Sequence, residues 1–546
     1  MKLLVALAAA VAAAFAAAGT ANAAPFAIGL GPDADPVAMA RQLERLTGRP
    51  VESLAPIPAL VADVPRGVSV RSLPGIRYVE RLGTRRMAVV PSDPFVPRQW
   101  YLLQSRFYEP WLAMPVLPGV RVAVIDSGVD VTHPELAGKI VDAQSFVGGS
   151  ARVDPLGHGT FVAGLIAAGV DNGIGIAGLA PSAELLVAKV VTKSRSIPVK
   201  AEVEALRWAV ESGAKVINMS LGGVRDPLDP DRDTYSRLEA DAIAYAVSRG
   251  VVVVAAVGNS DLASQSPWPY ASYPAALPHV LGVSALSESG AVPGFSNRDR
   301  VYNDLAAPGE RILSIFPRPL TARFPACVEQ GYSSCGPEEY REAQGTSFAA
   351  PQVSAAAAVI RALRPGLQPE QVTAILQRSA VDQTPATGCS ACTVGRDPLT
   401  GWGRLDMVNA ITALGQVLPP RDRFETNDDV GSRAHLVRGT ERRLFATVDF
   451  WDDQDDVYAI RMRRGQAVYV GLSAPEARMD LNLALWLPAT PSIEGVRNLR
   501  FRATTSTRSG ARQYLSFRAR QSGTHYVQVR AASPGSTRYR LTIVKS

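Results

Sequence analysis

Cysteine is scarce, with four among 546 residues, too few for a small disulfide-dense scaffold. Histidine is nearly as rare, with five, so each can be weighed singly. Neither sign of charge dominates: 57 Lys+Arg face 50 Asp+Glu, a net +7. A dedicated nucleic-acid binder is more basic, or more locally so, and no nucleic-acid partner is expected. Beyond an N-terminal stretch no apolar run approaches the ~20 residues a spanning helix needs, and the longest, 251–257, reads as a buried strand. No membrane span is expected. Hydrophobic residues make up 47% and charged residues 20%, which excludes wholesale disorder and fibrous architecture. At roughly 150 residues per domain, the length fits three or four units.

The N-terminal stretch reads as a targeting segment. Lys2 precedes an uninterrupted Ala-rich apolar run over 3–18, and Ala21-Asn22-Ala23 offers the small-x-small pattern of signal cleavage. The alternative, a membrane anchor, needs a longer run. Residues 1–23 are therefore expected to be an export signal and the product to be secreted and extracellular. Export permits disulfides. Cys327 and Cys335 lie in one insertion, and Cys389 and Cys392 form a C-x-x-C. Two local bridges are the simplest pairing, although four cysteines allow three connectivities. Zinc on the C-x-x-C is the other reading, without a second pair or nearby His pair to complete it.

Four segments follow the signal. Over 24–92, Asp35-Pro36 marks a helix start and Gly48 its end, with Met39, Leu43 and Leu46 on one face. Strand-like pieces at 59–64 and 76–82 complete a small α+β unit. Over 93–415 apolar strand-like runs (120–125, 185–191, 216–219, 251–257) alternate with helical stretches (201–212, 237–248) closed by Gly213 and Gly250. That alternation predicts α/β architecture, a parallel sheet with helices on both faces. Residues 416–422, with Pro419-Pro420, form a linker. Residues 423–546 carry short alternating runs such as 466–472 and 524–529 between Gly, Ser and Pro turns, which predicts an all-β sandwich. Charge gathers here: residues 421–546 hold 20 Arg and one Lys against 13 Asp+Glu, a surplus of eight that leaves the rest near −1. That surplus reads either as a solvated surface or as attachment to an anionic polymer or cell surface.

Three motifs of the α/β segment carry chemistry. One predicted strand ends in Asp126-Ser127-Gly128. Gly157-His158-Gly159-Thr160 opens an apolar small-residue helix, and Gly345-Thr346-Ser347 opens an Ala-rich one. A serine hydroxyl needs a neighbouring base to act as a nucleophile. Histidine titrates near working pH, and a carboxylate holds its tautomer and stabilises the imidazolium. Only His158 of the five stands between glycines at a strand-to-helix turn; Thr132-His133-Pro134 reads as a surface turn. Asn259, just beyond the 251–257 strand, and the Ser347 backbone N–H at a helix N-terminus can donate to a developing oxyanion.

Together these segments resemble the subtilases, the subtilisin-like serine peptidases of family S8. The matching pieces are Val124-Ile125-Asp126-Ser127-Gly128, His158-Gly159-Thr160-Phe161-Val162-Ala163-Gly164, and Gly345-Thr346-Ser347-Phe348-Ala349-Ala350-Pro351. The resemblance implies a subtilisin-like fold and a serine endopeptidase acting on protein or peptide substrates without a catalytic cofactor. It also implies Asp126, His158 and Ser347 as triad and Asn259 as oxyanion donor. Ser220-Leu221-Gly222-Gly223 resembles the family's cleft-lining stretch, whose backbone pairs with an extended peptide. Phe161 stands where the family commonly has His, Phe348 where Met is usual, and Gln352 where His is usual. Residues 24–92 resemble an inhibitor-type propeptide, a folding chaperone and intramolecular inhibitor removed by self-cleavage between about 83 and 99; a stable accessory domain is the other reading. Residues 423–546 resemble the bacterial pre-peptidase C-terminal domain. Glu135 with Val170-Asp171-Asn172 resembles a family calcium site, and Glu425, Asn427, Asp428, Asp449, Asp452 and Asp453 form an oxygen-rich cluster suited to a structural calcium ion. The other reading of both sets is caps and solvated turns.

Overall fold

The computed structural model describes residues 25–65, 67–82, 91–111, 117–260, 264–323, 339–418, 422–475, 479–493 and 496–546. The export signal, Cys327 and Cys335, and residues 83–90 of the expected processing stretch lie outside them. The chain divides into two units, 1–88 and 89–546.

In the first unit, helix α1 (Pro36–Thr47) covers an antiparallel sheet of β1 (Pro25–Leu30), β2 (Val51–Ser53), β3 (Ala59–Asp63) and β4 (Ile76–Arg81), ordered β2-β3-β1-β4. The Asp35 carboxylate accepts from the Val37 N–H at 2.9 Å, and Gly48 closes the helix at φ +68°. Leu46 does not join the buried face. It is 43% exposed, and the stripe runs Met39, Leu43, Thr47. Steps of four advance the position by about 40° around a helix, whereas a step of three falls back by about 60°, which turns Leu46 away from the stripe.

The second unit is built on seven parallel strands: β5 (Val120–Asp126), β6 (Ile140–Ser145), β7 (Ala183–Lys189), β8 (Val216–Met219), β9 (Val252–Ala256), β10 (Val280–Leu286) and β11 (Leu305–Pro308), ordered β11-β10-β9-β8-β5-β7-β6. Both faces are covered, which is why β9 reads as an unbroken apolar run and β8 is apolar but for the buried Asn218. Alternation assigns the faces. Val122 and Val124 enter the core formed with α2 (His158–Ala167), while Ala123 and Ile125 enter the core formed with α3 (Val199–Glu211) and α4 (Arg237–Ser248). Helix α5 (Thr346–Leu363) lies on the α2 side and is buried almost all round. Its run Ala355-Ala356-Ala357-Ala358 lets neighbours approach closely. Cys389 and Cys392 are joined by a disulfide.

His133 departs from the surface-turn reading. It caps a short turn at Pro134–Leu136, yet only 1% of it is exposed because Tyr340 packs edge-on against the ring. The turn is local, but its burial is set by β13 (Tyr340–Ala343), a strand two hundred residues away that pairs with β12 (Ile312–Ile315).

The C-terminal part is a two-sheet sandwich. One sheet holds β14 (His435–Val437), β16 (Asp455–Met462), β18 (Leu481–Trp486), β19 (Arg502–Ser506) and β21 (Gly523–Ala531). The other holds β15 (Glu441–Asp449), β17 (Ala467–Ser473), β20 (Arg512–Arg518) and β22 (Ser536–Lys545), ordered β15-β22-β17-β20. Inward side chains such as Tyr458, Ile460, Val470 and Leu541 form a separate core. The sandwich is docked on the α/β body. His279 Nε2 meets Asp428 Oδ1 at 2.8 Å, and Trp402 stacks edge-on with Trp451 at 5.0 Å.

Candidate active site

In an open parallel sheet, loops at the carboxyl ends of adjacent strands converge. Asp126 is the last residue of β5, Ser220 follows β8 by one residue, and Asn259 follows β9 by three. The three strands are neighbours. Helices α2 and α5 bring His158 and Ser347 to this edge from the N-terminal side, each in its helix's first turn.

The Asp126 side chain is 2% exposed, and both its oxygens face His158 Nδ1, at 2.9 and 3.0 Å. The Ser127 N–H adds a bond at 2.7 Å. A carboxylate only accepts, so Nδ1 carries the proton and Nε2 keeps the lone pair. Burial disfavours the imidazolium and Asp126 favours it; the carboxylate wins, holding His158 above its ordinary pKa of 6.5. Gly128, at φ +106°, turns the chain where a Cβ would meet the Val153 carbonyl at 2.5 Å. Gly159 lets α2 approach: a Cβ there would collide with the Gly128 carbonyl and press on Asp126 Oδ1 at 3.2 Å.

Ser347 donates its Oγ–H to the Ser220 carbonyl at 3.2 Å, and Ser220 Oγ donates to the Ser347 carbonyl at 2.6 Å. Pro351 explains the second bond. It has no N–H, so the carbonyl four residues earlier loses its helical partner. The Ser220 hydroxyl is held in turn by Asn218 at 3.0 Å, and Asn218 by Ser354 at 2.8 Å. Asn259 is oriented by a similar rule. Its Oδ1 accepts from the Thr346 N–H at 3.0 Å and the Thr346 hydroxyl at 3.1 Å. A backbone N–H can only donate, so the amide oxygen faces Thr346 and the NH2 group is left to donate elsewhere. Gly222 is exposed, and Gly223 pairs antiparallel with Tyr273, both bonds at 2.9 Å. Leu221 packs on the α3–α4 side.

The three departures from the family pattern share one layer. Phe348 packs on Phe161 at 4.5 Å and on His158 at 5.4 Å between ring centroids. Gln352 donates to the Pro308 carbonyl at 2.6 Å.

Sequence reasoning missed Asp154. Its carboxylate is 3% exposed and accepts from the Ser127 hydroxyl, the Leu156, Gly157 and Thr160 N–H groups and the Thr160 hydroxyl, at 2.8–3.1 Å. It binds the His158 turn to the Asp126 turn. An acid four residues before a helix is an ordinary capping pattern, and nothing in the chain marks this one. Lys189, level with Asp126 on β7, donates to the Ser127 carbonyl at 2.9 Å.

The two expected cation sites differ. Glu135 accepts from the Ile176 N–H at 2.8 Å, Asn172 Nδ2 at 3.2 Å and the Tyr340 hydroxyl at 3.2 Å. Its oxygens are already answered by neutral donors, and calcium beside the Val170–Asn172 loop would need the Asn172 amide turned to present oxygen. In the C-terminal cluster, Glu425 Oε1, Asn427 Oδ1 and Asp453 Oδ1 are buried acceptors without a hydrogen-bond partner. His279, Glu425, Asp428 and Asp453 bring one ligand-type atom each within 4.8 Å of one another. Burial and the neighbouring carboxylates raise the Glu425 pKa to about 8 against the pull of His279, whose own imidazole the carboxylates raise to about 10 despite its burial. That cluster fits a hard cation.

Two measurements follow from this geometry. The His158 ring, followed by NMR, should titrate above pH 6.5. Asp126→Asn should lower its pKa, because burial is then opposed only by Asp154. Asp154→Ala leaves several buried donors unpaired and should cost on the order of 2–4 kcal/mol, read as a lower Tm; an unchanged Tm would show that the two turns hold without it.

The subtilase family description matches residues 118–403. The chain is 38% identical to the major intracellular serine protease of Bacillus subtilis over 44% of its length and 68% of that protein's. It is 32% identical to thermitase of Thermoactinomyces vulgaris over 55% of its length and 94% of that protein's. A solved protease structure from Pseudoalteromonas arctica is similar over 60% of this chain and 99% of that one, at 26% identity and a TM-score of 0.48. A match of this extent, over the segment that carries the parallel sheet and its carboxyl-edge site, means that the chain belongs to the subtilase family and is a serine endopeptidase.

Proposed function

We propose that the protein is a secreted endopeptidase that hydrolyses peptide bonds through an acyl-enzyme on Ser347 and is made as a self-cleaving zymogen. The clamp of Asp126 on His158 Nδ1 carries this reading, because it leaves Nε2 basic on the side away from the carboxylate. Nε2 takes the Ser347 proton as Oγ attacks the scissile carbonyl carbon. The tetrahedral oxyanion accepts from the Asn259 NH2 and the Ser347 N–H, both aimed in advance. His158 returns the proton to the leaving amine, and a water activated by the same nitrogen releases the acyl group. An extended substrate pairs with the exposed backbone beside Gly222.

Residues 24–92 act as inhibitor and chaperone until cleaved. Export rests on residues 1–23 alone, since one similar protein is named an intracellular protease. Calcium is held by the cluster around Glu425, Asn427, Asp428, Asp449, Asp452 and Asp453, with the Glu135 loop a second place for it. It supplies charge compensation that steadies the junction of body and sandwich, and no chemical step. The basic surplus of residues 421–546 supports a role in attachment to an anionic polymer or cell surface.

Ser347→Ala should abolish hydrolysis and leave residues 24–92 attached in the purified product; maturation of that variant on its own would refute self-cleavage. An active-site serine reagent should label Ser347 alone. Stripping divalent cations with a chelator should lower Tm, and added calcium should restore it. A Tm that stays put removes both cation sites.

A further inference from the structure

Water alone does not explain the outward face of the sheet β15-β22-β17-β20. Alternate side chains on these strands enter the core and the rest point out. The outward set includes Phe445, Tyr469 and Tyr514, which are 63%, 56% and 62% exposed. Isolated exposed rings are common, but several on one sheet face mark an interaction surface. The strand register shows their arrangement. Arg540 of β22 lies between Phe445 of β15 and Ser473 of β17, and Ser473 lies beside Arg512 of β20. In the adjoining row Gly471 lies between Thr542 and Tyr514. No heavy atom stands within 4 Å of where a Gly471 Cβ would be. The glycine therefore floors a trough of about 780 Å³ walled by Phe445, Tyr514 and arginines 512, 538 and 540.

Charge narrows the occupant. Arg443 on this face pairs with Glu441 at 3.7 Å. Among the described residues, Arg512, Arg538 and Arg540 have no carboxylate within 4.0 Å. A further guanidinium, Arg508, lies over the Tyr514 ring at 4.6 Å. Unpaired guanidinium forks favour carboxylate or sulfate groups. The electron-rich ring faces favour the positively polarised C–H faces of a sugar. Ser473, Thr542 and the tyrosine hydroxyls suit a partner rich in hydroxyl groups.

We propose that this face binds an acidic polysaccharide, laid across the four strands with its charged groups on the arginines and its rings on the aromatics. The proposal rests on the reading of residues 421–546 as an attachment module and gives that module its surface and its ligand class.

The test titrates the full chain carrying Ser347→Ala with polygalacturonate, with neutral dextran and with a single-stranded oligodeoxynucleotide. The chain should bind polygalacturonate, release it as salt rises, and ignore dextran. Tyr514→Ala combined with Arg540→Glu should weaken binding at least tenfold at unchanged Tm, since both side chains are exposed. Arg502→Glu, on β19 of the other sheet, alters net charge equally and should change affinity less than twofold. Equal losses from both variants would reduce the effect to net charge and overturn the proposal. Tighter binding of the oligonucleotide would overturn it in favour of a nucleic-acid surface. Polygalacturonate binding that the double variant leaves intact would refute this face but keep the attachment reading, whereas no binding at all would end both.

Discussion

A buried carboxylate facing an imidazole is the constraint around which the α/β body is organised. Asp126 is almost wholly removed from water, and a buried charge is tolerable only when paired and hydrogen-bonded. His158 and the Ser127 N–H meet that demand, and each is held by further groups. Gly128 and Gly159 bring the two turns into contact, and Asp154 ties them together from behind. The imidazole is thereby fixed in one tautomer before any substrate arrives. Preorganisation of this kind is what a general base requires, because no reorientation remains to be done at the moment of reaction.

The proposed nucleophile is held by a different device. Helix α5 is an almost fully buried rod whose Ala-rich middle packs against the sheet, so its first turn cannot drift. Pro351 breaks that turn's hydrogen bonding at the Ser347 carbonyl, and Ser220 from the cleft strand repairs it. A local defect, which in an isolated helix would cost about 3 kcal/mol, becomes a link between the serine and the segment beside it. Phe161 and Phe348 fill the layer beside the imidazole with apolar surface. They alter what surrounds the ring without touching the groups that exchange protons.

The sandwich is bonded to the body through His279, Asp428 and the Trp402–Trp451 contact. Its acidic loops gather at that junction, where burial makes uncompensated charge expensive, and Arg512, Arg538 and Arg540 stand exposed on the sheet β15-β22-β17-β20.

Much of this was legible in the chain. Buried parallel strands such as Val252–Ala256 announce themselves as unbroken apolar runs, because helices cover both faces. Glycines beside Asp126, His158 and Ser347 mark turns that only glycine can make. Local chemistry also specified the first helix, since Asp35, Pro36 and Gly48 act within a few residues of themselves. Other features depended on distant neighbours. The burial of His133 comes from Tyr340, and the role of Asp154 from donors on two separate turns. The sequence alone determined which elements form and which side chains can carry the chemistry, because propensity, periodicity and acid–base character are properties of residues and short segments. Only the tertiary structure decided which atoms face one another, because hydrogen-bond pairing and desolvation depend on groups brought together across hundreds of residues.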